Sequence, residues 1–212
     1  MSVEFIAAPL LSMMLGYALG SIPFGLLLTR FAGAGDLRDI GSGNIGATNV
    51  LRTGRKGLAA LTLLLDLLKG TAAVVIAAQL FPDYEKMAAA GALFGHVYPV
   101  WLKFAGGKGV ATLLGVILGL TLTGNLGWEA PAGFAIVWLA VLGFTRFSSL
   151  AGISAALFSP VSAAWVGRFD HALLLLGLAL LVLWKHRGNL ERLMAGTEPR
   201  VGASREAGAA GE

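Results

Sequence analysis

Three glycines, several side-chain donors and an arginine are concentrated in one polar segment, residues 41–52. Gly41, Gly43 and Gly46 form a G-x-G-x-x-G pattern, and Arg52 follows it. Glycine lets backbone N–H groups approach an anion closely, and the guanidinium fork fits a phosphate. No strand precedes the pattern, so a dinucleotide site is not indicated. The segment predicts an anion site, with an ordinary Gly/Asn turn as the alternative. Its further donors are Ser42, Asn44, Thr48 and Asn49.

A second glycine-rich turn, Gly106-Gly107-Lys108-Gly109, directly precedes an apolar stretch. Its spacing differs from that of a Walker A loop. Exposed N–H groups at the start of a helix, together with a lysine, nevertheless attract anions. The turn therefore predicts a second phosphate-binding element, and the alternative is a lysine that simply follows a membrane segment.

Two more polar segments lie between or after apolar stretches. The first contains Ser148 and Ser149, and the second contains His186 and Asn189 one helical turn apart. A positively charged stop after a membrane helix would explain the second segment's charges but not that pairing. The chain has no cysteine and only three scattered histidines, so we predict no metal site.

The composition indicates that membrane helices position these residues. Hydrophobic residues make up 56% of the 212 and charged residues 13%, about half of the roughly 25% usual in soluble proteins. We predict an all-α, polytopic membrane helix bundle, formed by residues 1–198 as one domain and followed by a polar tail, residues 199–212. About seven transmembrane helices are expected, in segments 5–29, 58–81, 87–102, 110–124, 131–144, 149–166 and 172–184.

The basic residues predict how these helices are oriented. With the N-terminus outside and the C-terminus cytoplasmic, 13 of the 16 lysines and arginines face the cytoplasm. This bias explains the net charge of +4 without nucleic acid as a partner. All four polar segments then lie on the cytoplasmic face. Asp66 and Lys69 fall inside a helix at i, i+3, where they form either a structural pair or part of a proton relay.

The motifs, taken together and in order, resemble one family from about residue 15 to residue 198. The blocks are GSIPFG, GSGNIGATN with Arg52, GHVYPVW followed by GGKGVAT, TRFSS, and KHRGNLERL with GTE. They resemble the acyl-phosphate:glycerol-3-phosphate acyltransferases, the PlsY family. The resemblance implies acyl transfer from acyl phosphate to the 1-hydroxyl of glycerol 3-phosphate, giving lysophosphatidic acid and phosphate. It further implies the entry step of phospholipid synthesis in a bacterial inner membrane, with membrane lipid as a partner and no cofactor.

The resemblance also implies roles for individual residues. Ser42 and Arg52 would contact the donor's phosphate or carbonyl, and Lys108 would bind phosphate. Ser148 and Ser149 would hydrogen-bond substrate, while His186 and Asn189 would position glycerol 3-phosphate. The remaining candidates for substrate binding are Gly41, Gly43, Asn44, Thr48, Asn49, Gly106, Gly107 and Gly109. No histidine has the aspartate partner at the spacing that soluble-type glycerophosphate acyltransferases use as a base.

Three other classes of protein fit the sequence less well. A transporter for organic phosphates would have internal repeats and a site near the bilayer midplane, but no repeat is visible. A CDP-alcohol phosphotransferase needs a run of carboxylates for metal, and the sequence has none. A purely structural membrane protein would not explain four polar segments on one face.

Overall fold

A computed structural model describes residues 3–202 of the chain, and all regular secondary structure in that range is helical. The two short helices of the 3₁₀ type are Leu37–Asp39 and Val100–Leu102. The α-helices are α1 (Val3–Gly20), α2 (Phe24–Phe31), α3 (Ala47–Leu51), α4 (Lys56–Leu80), α5 (Glu85–Val97), α6 (Val110–Leu122), α7 (Glu129–Thr145), α8 (Ser148–Trp165), α9 (Phe169–Lys185) and α10 (Arg187–Met194).

Each predicted apolar segment coincides with a helix, but the first and the third are interrupted. Segment 87–102 covers α5, which ends at Val97, and the 3₁₀ helix Val100–Leu102 that follows Pro99. Segment 5–29 becomes α1 and α2, which are separated at Ser21, Ile22 and Pro23. Proline has no backbone N–H and ends the preceding helical hydrogen-bond pattern. After the break α2 contacts α3, α4 and the 3₁₀ helix Leu37–Asp39.

Only some of the helices have the length and composition of a membrane span. Ala7–Phe31, which runs through the break, and Lys56–Leu80 qualify, and a third span results if α9 and α10 are counted as one helix bent by 59°. Val110–Leu122 and Glu129–Thr145 are apolar but shorter. Helices that are short for the hydrocarbon core can be accommodated by local thinning of the bilayer or by flanking polar turns.

Glycines bring α1 and α5 into close contact. Both helices carry a G-x-x-x-G pattern, Gly16 and Gly20 on α1 and Gly91 and Gly95 on α5. The α1 glycines pack on the backbone of Ala88 and Ala92, and the α5 glycines pack on the backbone of α1 around Tyr17. A Cβ on Gly16 would lie 2.1 Å from a carbonyl oxygen of α5, and one on Gly95 would lie 2.3 Å from a carbonyl oxygen of α1. Close backbone approach of this kind drives helix association in lipid, where the hydrophobic effect between helices is lost.

The centre of the bundle is α6, which contacts α4, α5, α7 and α8. Its side chains are mostly buried, and Leu113, Ile117 and Leu120 are fully enclosed. The N-terminus of α6 carries the glycine-rich turn, so the most tightly packed helix of the fold fixes the position of Lys108. Outward-facing leucines such as Leu64 and Leu80 on α4 stay exposed, as expected of a lipid-facing surface.

Asp66 and Lys69 form a buried ion pair at the break between α1 and α2. Lys69 Nζ lies 2.7 Å from Asp66 Oδ1 and donates to the carbonyl oxygen of Ile22 at 2.8 Å. His96 Nδ1 lies 3.8 Å from the same carboxylate oxygen. Charges at membrane depth need partners, and this lysine satisfies both a carboxylate and a backbone carbonyl. The contacts support the structural alternative for this pair.

Candidate active site

Asn49 shapes the loop that carries Ser42. Its side chain is buried, and Nδ2 donates to the carbonyl oxygens of Leu37 and Ile40 at 2.9 and 2.8 Å. Its Oδ1 accepts from the Ser42 backbone N–H at 3.2 Å. Both ends of this amide are therefore occupied by the loop itself. Its contribution here is to hold the loop, and the substrate contact expected of Asn49 stays a prediction.

Gly41 and Arg52 meet at the same amide. Gly41 has φ +57°, and a Cβ there would lie 2.6 Å from Asn49 Oδ1. Arg52 Nη1 reaches that oxygen at 3.5 Å. No carboxylate in residues 3–202 forms an ion pair with Arg52. Its guanidinium charge is thus held beside Ser42 without a neutralising partner in the described chain.

The glycine-rich turn is anchored on the end of α5. The N–H groups of Gly106 and Gly107 donate to the carbonyl oxygens of Val97 and His96 at 3.2 and 3.0 Å. A Cβ on Gly107 would lie 2.2 Å from His96 Nε2, so only glycine fits against this ring. These two N–H groups, expected to meet substrate, are occupied by α5. The turn's contribution to the site is the lysine that follows.

A hydrogen-bond chain connects Lys108 to the C-terminal part of the fold. Lys108 Nζ donates to Asn189 Oδ1, and Asn189 Nδ2 donates to Glu198 Oε1 at 2.6 Å. Glu198 also accepts from Ser149 Oγ at 2.6 Å and Arg192 Nε at 2.8 Å. One buried carboxylate therefore fixes side chains from the start of α8 and from α10 relative to the lysine.

Burial controls the charge of Lys108. Desolvation lowers the pKa of Lys108 to about 8, Glu198 opposes this shift, and the cations Arg192, Arg52 and Lys185 add to it. For Glu198, burial raises the pKa, but the hydrogen bonds from Ser149, Asn189 and Arg192 outweigh it and hold the pKa below its usual value. The site thus contains an ionised carboxylate and a lysine that loses its proton unusually easily.

His186 is a neutral hydrogen-bond acceptor at neutral pH. Burial lowers the pKa of His186 to about 4. Its Nδ1 lies 2.8 Å from the Val182 carbonyl oxygen, and a carbonyl can only accept, so Nδ1 carries the proton. In the neutral ring Nε2 is then an acceptor. Such an imidazole can orient a substrate hydroxyl but is a weak base.

Two cavities meet at these residues. One, of about 690 Å³, is lined by polar and basic groups, and the other, of about 300 Å³, is mainly apolar. Five residues line both cavities and form their shared wall: Ser42, Asn44, Arg52, Lys108 and Asn189.

The structure gathers the candidate site residues around the two cavities. The polar cavity also contains Gly41, Gly43 and Gly106. The apolar cavity also contains Thr48, Asn49, Gly109, Ser148, Ser149 and His186. Gly107 is the exception, because it lines neither cavity and packs against His96 instead.

Sequence reasoning missed several residues that line the cavities. Glu198 was part of the GTE block but received no role, because acidic groups were not expected near phosphate, and Arg192 was counted only as a motif residue and a topological charge. Lys185 and Arg187 were counted only as topological charges. Asp66 was interpreted only as the partner of Lys69, and His96 and the apolar wall were not predicted, since a contribution to the cavity depends on which face of each helix turns inward. The GTE block after α10 was the one sequence signal that could have indicated Glu198 as a site residue.

Residues 199–202, placed in a polar tail by the sequence analysis, contact the turn between α7 and α8. The Val201 N–H donates to the Arg146 carbonyl oxygen at 2.8 Å, and Arg146 Nη2 donates to the Val201 carbonyl oxygen at 3.0 Å. This contact keeps Glu198 inside the site. The rest of the predicted tail, residues 203–212, lies outside the described residues.

Comparison of the sequence with known proteins identifies relatives along nearly all of its length. A family model described as glycerol-3-phosphate acyltransferase matches residues 10–196. Proteins named glycerol-3-phosphate acyltransferase from Mesorhizobium japonicum and Rhodopseudomonas palustris are 55% and 57% identical to this chain. The alignments cover 92% and 90% of this chain and 96% and 95% of those proteins.

The fold matches crystal structures of PlsY (YgiH), an integral membrane glycerol 3-phosphate acyltransferase. Its glycerol 3-phosphate form superimposes with a TM-score of 0.84 at 34% identity, covering 92% of this chain and 96% of that one. Its lysophosphatidic acid form gives 0.81 at 32% identity, covering 92% and 95%. The present chain is accordingly an all-helical integral membrane protein and an enzyme. By sequence and by fold, it belongs to the glycerol-3-phosphate acyltransferase family.

Proposed function

We propose that this enzyme transfers a fatty acyl group from acyl phosphate to the 1-hydroxyl of glycerol 3-phosphate, giving lysophosphatidic acid and phosphate. The observation that carries the proposal is the shared wall between a basic cavity and an apolar one. Such a wall is what a reaction needs when it joins a phosphate-bearing acceptor to an acyl chain. The related crystal structures are the glycerol 3-phosphate form and the lysophosphatidic acid form of PlsY, which supports both the acceptor and the product.

The polar cavity suits two phosphate groups. Its lining contains a single carboxylate, that of Glu191, and the cations Arg52, Lys108, Lys185, Arg187 and Arg192. Arg192 is also paired with Glu198, so its orientation is fixed. An excess of cations around a cavity of about 690 Å³ favours dianionic substrates over neutral alcohols.

The donor's acyl chain fits the apolar cavity. This cavity continues from the shared wall between α4, α6 and α7, and its lining there is aliphatic and aromatic apart from Asp66 of α4 and His96 of the neighbouring α5. A chain lying in it would place its carbonyl carbon at the wall, beside Ser42, Arg52 and Lys108. Positioning the carbonyl beside a bound hydroxyl is itself a large part of catalysis for a reactive mixed anhydride.

In the proposed step the glycerol 3-phosphate oxygen forms a bond to the acyl carbonyl carbon. The bond from that carbon to the phosphate oxygen breaks, and its electron pair leaves with phosphate. Negative charge grows on the leaving group, where Arg52 and Lys108 stabilise it more strongly than in the ground state. The Lys108 ammonium is held in place by Asn189.

A substrate phosphate oxygen accepts the proton of the attacking hydroxyl in this scheme. Glu198 is ionised but accepts three hydrogen bonds, from Ser149, Asn189 and Arg192. His186 is neutral and has a low pKa, so it orients the hydroxyl through Nε2 without removing the proton. Lys108 is already protonated in this scheme, so a phosphate oxygen is left as the proton acceptor.

The proposal places the site on the cytoplasmic side of a bacterial inner membrane. The support is the distribution of basic residues, which favours seven crossings with the N-terminus outside. Residues 1–198 then act as one domain, because Glu198 and Asn189 complete a site begun by Ser42 and Arg52 near the other end of the chain.

The test is an assay of the purified protein in detergent with acyl phosphate and either glycerol 3-phosphate or glycerol. Mass spectrometry of the product identifies the acylated hydroxyl, and a colorimetric assay measures phosphate release. We expect one phosphate per 1-acyl product and little acylation of glycerol. Comparable acylation of glycerol, or no product with glycerol 3-phosphate, would overturn the proposal.

A further inference from the structure

The apolar cavity has the shape of a groove whose floor is α6. Its lining on α7 is Phe134, Ala135, Trp138 and Leu139, which form one stripe at helical spacing. The facing wall is formed by Leu63, Asp66 and Leu67 of α4, and the floor by Val110, Ala111 and Leu114 of α6. Both α4 and α7 pack on α6, so the groove lies between them.

The groove extends to a similar depth on both walls. Helix α4 begins at Lys56, four residues after Arg52, and α7 ends at Thr145, three residues before Ser148, and both Arg52 and Ser148 line this cavity. Leu67 and Phe134, the deepest lining residues, are each eleven residues from those ends. At 1.5 Å per residue this corresponds to a depth of about 16 Å.

The groove is closed at its end and open at its side. Phe134, at the deep end, is 1% exposed and packs in the hydrophobic core. Leu63 and Leu139, nearer the polar site, are 45% and 61% exposed. A long chain entering from the shared wall therefore meets Phe134 and must turn outwards past these two leucines.

We propose that Phe134 and Ala135 determine the acyl-chain selectivity of the enzyme. This inference rests on the proposed function of the site. Phe134 ends the groove, and Ala135 keeps it wide enough for a hydrocarbon chain. Methylenes near the carbonyl are buried in the groove, where each contributes about fourfold to relative kcat/KM. Carbons beyond the opening at Leu63 and Leu139 lie among lipid and contribute little.

The experiment measures kcat/KM for a series of acyl phosphates from butanoyl to octadecanoyl in detergent. At each chain length the kcat/KM of the variant is divided by that of the wild type. Partition of the donor into micelles affects both proteins equally and therefore cancels in this ratio. Ala135→Phe fills the groove, so we expect its ratio to fall at least tenfold between the shortest and the longest donors. Phe134→Leu lengthens the groove, so its ratio should rise with chain length.

Ile136→Phe is the matched control, since this neighbour on α7 is 65% exposed and lines neither cavity. Its ratio should not depend on chain length. Unchanged KM for glycerol 3-phosphate, and turnover of butanoyl phosphate, show that each variant is folded with an intact polar site. A ratio independent of chain length for both Ala135→Phe and Phe134→Leu would overturn the inference. Failure of wild type to use any acyl phosphate would instead overturn the proposed function.

Discussion

Lys108 donates a hydrogen bond to the side-chain oxygen of Asn189, which lies 81 residues further along the chain. Asn189 can present that oxygen because its Nδ2 donates to Glu198 at 2.6 Å, which fixes the orientation of the amide. The pair ties the turn before α6 to α10. Together with Arg52, it places a positive charge at the wall where the two cavities meet.

Removing either cation at that wall should abolish most of the activity. We expect Arg52→Ala and Lys108→Ala to lower kcat/KM by about 30- to several-thousand-fold, since loss of a charge-assisted contact to a bound anion costs roughly 2–5 kcal/mol. Arg52→Lys should recover only part of the loss, because a point charge lacks the guanidinium fork. Steady-state kinetics on purified variants measures the effect.

Lys56→Ala and Lys103→Ala are matched controls for these two substitutions. Both lysines are exposed cations close in sequence to the sites, and neither lines a cavity. The controls should retain near-wild-type kinetics. A folded Arg52→Ala variant with the activity of the controls would remove Arg52 from the site.

The activity should decline as the pH rises through about 8. Burial places the pKa of Lys108 there, below the ordinary value for lysine, so the charged form that binds phosphate is lost at this pH. The alkaline limb should appear in kcat/KM, which reports the free enzyme. It should be weaker in kcat, because bound phosphate favours the protonated lysine.

Lys108→Arg tests the assignment of that limb. Arginine keeps its charge throughout this range, so the limb should move to higher pH in any residual activity of the variant. An alkaline limb at the same pH in Lys108→Arg would assign the titration to another group.

Gly107→Ala should damage the site although it changes no charged group. The new Cβ would lie 2.2 Å from Nε2 of the buried His96 ring, so the turn or the ring must shift. We expect Lys108 to be displaced, with at least a tenfold rise in KM for glycerol 3-phosphate. Gly177→Ala is the control, because a Cβ there meets nothing within 4 Å. Equal KM values in the two variants would show that the turn tolerates the shift.

The orientation in the membrane can be tested with single cysteines, since the chain has none of its own. Pro82 lies in the exposed loop between α4 and α5, and Asp39 is exposed near the polar site. The two variants are Pro82→Cys and Asp39→Cys. An impermeant thiol reagent should label the first variant in intact cells and the second only after permeabilisation. The opposite pattern would reverse the predicted topology.

The sequence predicted the family, the helical class and the clustering of polar loops because each depends on local signals. Glycine-rich turns, basic loops and apolar runs can be recognised without knowing how helices pack. This is why Ser42, Arg52, Lys108 and Asn189 were selected together. The family assignment is confirmed, whereas the residue roles and the seven crossings stay predictions.

What the sequence could not predict depends on tertiary packing. Glu198 lay within the GTE block without an assigned role, and its position beside Asn189 depends on how the chain after α10 packs, with Val201 in contact with Arg146. The groove could not be predicted from the sequence either, because nothing in the sequence distinguishes Phe134 from the other apolar residues of its helix. The break at Pro23 was included in a single segment, since apolar composition continues through it.

The most direct test of the central claim compares three donors of one chain length in the same assay. Purified protein and labelled glycerol 3-phosphate are combined with acyl phosphate, acyl-CoA or acyl-acyl carrier protein. Arg52 and Lys108 stabilise a phosphate leaving group and have no equivalent role towards a thiolate, so we predict turnover with acyl phosphate alone and inhibition by inorganic phosphate. Comparable rates with a thioester donor would contradict the account of a phosphate-binding wall between the two cavities.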